Sequence, residues 1–81
     1  MLKSRISINP EIYHGKPCIK GTRIPVHLIL EMLEYGLSFS QILDEYPSLS
    51  VKDVKACIAY AKNLVENVVP PSNVQHQISS G

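Results

Sequence analysis

The sequence predicts a mainly α fold, a three-helix bundle of the homeodomain-like or winged helix-turn-helix kind, preceded by a short N-terminal β-ribbon arm. Between residues 25 and 67, three stretches with apolar residues at helical spacing follow one another. Gly36, Pro47 and the Pro70-Pro71 pair punctuate them. Residues 1–24 instead combine a polar–apolar alternation with turn residues, which divides the chain into an arm (1–24), a bundle (25–67) and a polar tail (68–81).

Taking the elements in order, Arg5 to Ile8 alternates polar and apolar residues and ends at Asn9-Pro10, the pattern of a short half-buried strand. A second extended piece covers Pro17 to Lys20. Two such pieces form at best a marginal ribbon alone, so pairing with the same ribbon of a second copy is expected. Between Gly15 and Pro25 lie Lys16, Lys20 and Arg23, with two glycines that accept φ > 0 and two prolines that lock φ. This is a shaped basic arm, too charged for a core and too stiff for a linker.

The first helix is expected to begin with Pro25 in its first turn, where a missing N–H costs nothing. Val26, Ile29, Leu30 and Leu33 share its inner face, Glu31 and Glu34 lie opposite, and Gly36 supplies the left-handed residue that ends it. The second helix opens at Ser38 with Gln41 three residues on, a capping box; Ser40 is the alternative cap. It carries Phe39, Ile42 and Leu43 and stops before Pro47. The third opens at Ser50, with Asp53 at the position that reaches back to the cap, and extends to about Asn67. Its inner stripe is Val54, Cys57 or Ile58, Ala61, and Leu64 or Val65. From Pro70-Pro71 onward the tail is polar and has no hydrophobic stripe.

Eighty-one residues make one small domain that buries only about 60% of the surface of its unfolded chain, which favours oligomerisation or a partner. The first residues lack the pattern of a signal peptide, and no apolar run approaches the roughly 18 residues of a membrane span, so a cytoplasmic protein is expected. In that setting Cys18 and Cys57 are free thiols acting as small hydrophobes. The net charge is +1 but uneven: residues 1–30 carry five cations against Glu11 alone, residues 31–81 three lysines against six acids. A basic front and an acidic back suit two surfaces for two partners.

A short second helix, the connection Tyr46-Pro47-Ser48-Leu49 and a longer third helix with cations near its start form the outline of a helix-turn-helix. In that unit Ser50, Val51, Lys52, Asp53 and Lys55 are the residues that reach DNA. Ser50, Lys52 and Lys55 are the candidate DNA contacts on this helix, while Asp53 repels phosphate but can accept from a cytosine amino group. On the arm the candidates are Lys16, Lys20, Thr22 and Arg23, lying along the duplex as homeodomain arms do. The competing structural roles are a solvated face for Lys52 and Lys55 beside Asp53, and for Arg23 an ion pair with Glu31 or Asp44. His14, Cys18, His27, Cys57 and His76 offer no C-x-x-C or H-x-x-x-H, and no paired carboxylates mark an evident pocket, so no metal, cofactor or enzymatic activity is expected.

The segments Ile6 to Ile12, His14 to Val26, Tyr35 to Ser38, Ile42 to Pro47 and Ala59 to Ala61 resemble the family catalogued as domain of unknown function 433, over about residues 5 to 65. The G-K-P-x-I-x-G-T-R-I-P-V arm is the distinctive signature; His14 departs from it, standing where the family more often has a small residue or cysteine. The resemblance implies a homeodomain-like or winged helix-turn-helix fold and an association with toxin-antitoxin pairs, its members looking like VapB-type antitoxins beside a PIN-like ribonuclease toxin. The expectation is therefore a non-enzymatic antitoxin that binds operator DNA as a homodimer and neutralises such a toxin. Val68, Val69 and Val74 of the tail are the candidate toxin contacts, with Glu31 and Glu34. The alternatives are a stand-alone transcription regulator and an interaction module that does not bind DNA.

Overall fold

The computed structural model describes residues 5–67. Among them the chain runs β1 (Ile6–Ser7), β2 (Cys18–Ile19), α1 (Val26–Glu34), α2 (Phe39–Glu45) and α3 (Val51–Glu66). The mainly α bundle with a two-stranded ribbon is thus the fold adopted. The strands pair antiparallel, Ile6 opposite Ile19 and Ser7 opposite Cys18.

Each helix boundary has a local cause. Tyr35 caps α1, and Gly36 follows at φ 94°. The Gly36 N–H donates to Leu33 O (3.0 Å) and the Leu37 N–H to Met32 O (3.1 Å), the paired bonds of a Schellman motif. At α2, Ser38 and Gln41 close both halves of the capping box, at 3.1 and 2.8 Å, so Ser38 rather than Ser40 is the cap. α3 starts after Ser50, and the Asp53 carboxylate accepts from the Ser50 N–H at 2.9 Å.

Pro25 lies one residue before its expected place. It caps α1 in extended conformation and bridges to Cys18, because the Val26 N–H donates to Pro17 O (2.9 Å) and ties the chain to β2 before the helix can start.

Ile19, Val26, Ile29, Ile42, Leu49, Val54 and Cys57 form one buried cluster. Every element but β1 and the connections before β2 contributes to it, and Ile6 of β1 packs against it. The arm is therefore part of the core: Cys18 and Ile19 are each only 2% exposed, against the expectation of a segment too basic to be buried. Adjacent strand residues point to opposite faces, and both are covered here because β1 pairs along Cys18 and Ile19 while Pro25 bridges to Cys18 on the other edge; the charged residues of the arm flank this apolar pair. In α3 the inner stripe takes Cys57, not Ile58, and ends near Ala61; Leu64 and Val65 are both exposed because the helix outruns the two shorter ones it packs on.

Candidate functional site

The loop that joins β2 to α1 is closed by the Ile19 N–H donating to Ile24 O at 2.9 Å. Gly21, at φ 81°, makes the reversal, and Thr22 braces it: its hydroxyl donates to Ile19 O (2.7 Å) and accepts from the Ile24 N–H (3.0 Å). Lys20 and Arg23 stand exposed on either side. With its proton already committed, the Thr22 hydroxyl holds the loop's shape, and contact with a phosphate through that proton would cost the Ile19 bond.

This loop is linked to the start of α3 by Arg5, a residue whose partner no local pattern in the sequence marks. The Lys20 N–H donates to Arg5 O (2.8 Å), and the Arg5 guanidinium donates to the Asp53 carboxylate (2.9 Å). Asp53 is thereby held among Arg5 and the Ser50 N–H and hydroxyl. Burial alone would push its carboxyl up, but the Ser50 and Arg5 bonds outweigh that and hold it below its ordinary value. A carboxylate so placed is neutralised and turned toward β1. It is a clamp on the helix start, not a group presented to a base edge. The signal in the sequence was the unpaired Arg5 of an alternating strand, but its partner lies 48 residues away and no local rule names it.

The outward face of α3 then consists of Val51, Lys52, Lys55, Ile58, Ala59 and Lys62, all exposed and none acidic. The Arg5 bridge therefore ties the Lys20 backbone to the Ser50–Asp53 start of α3, the helix that carries Lys52 and Lys55. Among the described residues Arg23 makes no ion pair with Glu31 or Asp44; the ion pair formed is Arg5–Asp53.

Lys16 belongs elsewhere. With Pro17 it borders an open apolar groove of about 230 Å³ whose walls include Val26 and Leu30 of α1 and Tyr60 and Leu64 from the second half of α3. Beside it Tyr13, His14 and Gly15 all have positive φ, at 51°, 58° and 80°. The Tyr13 ring rests against His27 with centroids 5.8 Å apart, which helps hold this left-handed turn. Cys18 and Cys57 are buried free thiols, and burial followed by the Asp53 charge pushes the Cys57 thiol up to about 11. Among the described residues no three His, Cys, Asp or Glu side chains gather as metal ligands, and no helix is long and apolar enough to cross a membrane. Val68, Val69 and Val74 lie outside the described residues.

These features define a small three-helix domain whose N-terminal ribbon is built into its core. The chain belongs to the family described as protein of unknown function DUF433, whose profile matches residues 6–61. A crystal structure of a DUF433 member protein from Anabaena variabilis ATCC 29413 is similar at a TM-score of 0.71 and 29% identity, covering 98% of this chain and 72% of that one. The uncharacterized protein y4eO of Sinorhizobium fredii is 30% identical over 57 residues, 70% of this chain. The match spans only 26% of that relative's length.

Proposed function

We propose that this chain is a non-enzymatic, antitoxin-like DNA-binding protein that contacts operator DNA through α3 and the β2–α1 loop. The observation that carries this reading is the outward face of α3 from Val51 to Lys62, where Lys52, Lys55 and Lys62 stand exposed while Arg5 withdraws Asp53, leaving Glu66 at the far end of the helix as its exposed acid. Phosphate contacts need cations without a competing carboxylate, and base contacts need an exposed helix start; both are present here. The succession of α2, a short connection and α3 supports a helix-turn-helix reading, on which a homodimer would set two α3 helices on neighbouring half-sites. The toxin-neutralising role rests on the resemblance carried by the arm signature. Its candidate surface is the exposed acidic side of α1 with Glu31 and Glu34, together with the tail valines.

The test is titration of the chain against a duplex of the DNA upstream of its own gene, at several salt concentrations. Binding that weakens steeply as salt rises supports phosphate contact. Absence of binding at low salt, with and without the product of the neighbouring gene, overturns the DNA reading. Co-purification with that product separates an antitoxin from a stand-alone regulator.

A further inference from the structure

We infer that Val51 is a thymine-reading residue, packing against the 5-methyl group of a thymine in the major groove; this rests on the DNA reading above. Val51 opens α3 and is 41% exposed, although Val54 and Cys57 already fill the core beneath it. Along the outer face of the helix Val51, Lys55, Ile58 and Lys62 follow at spacings of four, three and four, so Val51 and Ile58 share one stripe with two lysines, and Val65 continues it toward the far end. Lys52 extends the positive charge to the side. The charge on this face complements the phosphates that border a major groove, and the first turn of a docked helix is the part that reaches base edges.

At that position valine has no donor or acceptor to offer. Its two methyl groups match one feature of the groove floor, the thymine methyl, and reject the polar edges of guanine and cytosine by leaving them unpaired. The lysines hold the helix on the backbone and carry no such preference. Val51 therefore contributes selectivity where Lys52 and Lys55 contribute affinity.

The experiment compares the upstream duplex with the same duplex made with deoxyuridine in place of thymidine, for the wild-type chain, Val51→Ala and Lys52→Ala. Alanine keeps the helix start intact, and circular dichroism verifies the fold. The wild type is expected to lose about fourfold in affinity for each thymine methyl it packs, the worth of burying one methyl. Val51→Ala is expected to bind the thymidine duplex about as weakly as the wild type binds the deoxyuridine one, and to discriminate little between the two. Lys52→Ala is expected to weaken both equally. If Val51→Ala discriminates as the wild type does while Lys52→Ala still weakens both, the inference is overturned and the DNA reading stands. If the wild type binds neither duplex, both fall together.

Discussion

Arg5, the residue before the first strand, and Asp53, in the first turn of the last helix, are joined by an ion pair with their charged atoms 2.9 Å apart. The side chains are 38% and 14% exposed, so the pair sits at the edge of the core, where one partner is better shielded than the other. Asp53 also satisfies the Ser50 N–H, so it links the ribbon, the cap and the helix in one group. Removing it is expected to cost more than removing Arg5. Asp53→Ala loses the cap interaction and the ion pair, about 1–2 kcal/mol, whereas Arg5→Ala loses about 0.5–1 kcal/mol. A double-mutant cycle by urea unfolding measures the coupling; a coupling of zero would show that the two act independently.

The same pair sets a pH dependence. The Asp53 carboxyl is held below its ordinary value of 3.8, so its contribution is complete above that value and is lost as the pH falls through the lower folded one. Asp53→Asn is expected to be less stable than the wild type at neutral pH and to approach it in strong acid. Thermal unfolding from pH 7 downward reads this, and a gap that does not narrow with acid contradicts it.

Backbone conformation predicts two opposite effects. At Gly36 an added Cβ meets nothing within 4 Å, so Gly36→Ala is disfavoured by its φ of 94° alone and is expected to cost about 1 kcal/mol. His14 adopts φ 58° with a side chain attached, and His14→Gly removes that strain at some cost in unfolded-chain entropy, for a net gain of about 0.5 kcal/mol. Paired denaturation curves check both signs.

Core packing is expected to dominate stability. Ile42 and Ile29 are completely buried, and truncating either to alanine is expected to cost about 2–5 kcal/mol, much of what so small a domain has. Ile42→Val is expected to cost about 1 kcal/mol. Equilibrium unfolding distinguishes the graded series from a bulk loss of fold.

Surface cations are expected to behave differently. If the chain binds DNA as proposed, Arg23→Ala and Lys52→Ala are each expected to weaken that binding and flatten its salt dependence while leaving the melting temperature nearly unchanged. A large fall in melting temperature with unaltered affinity would mark either residue as structural.

Thiol chemistry reports on the core. The Cys57 thiol, pushed up to about 11 and buried with Cys18, is expected to react with an aromatic disulfide at pH 8 only as fast as the fold opens, and at once in denaturant. Rapid labelling of the native chain would contradict the burial of both.

The amino-acid sequence by itself determined the elements and most of their boundaries, because Ser38 with Gln41, Ser50 with Asp53, and Gly36 act on backbone groups within a few residues of themselves. It also determined which residues carry charge near the start of α3. Tertiary structure decided what depends on distant partners. It buried Cys18 and Ile19 under the basic arm, chose Cys57 over Ile58, and took Lys16 to the groove and away from Lys52. It also turned Asp53 toward Arg5. Local patterns encode hydrogen bonds and faces over one or two turns, while the choice of which charge meets which, and which apolar side chain is covered, is made only when strand and helix pack together.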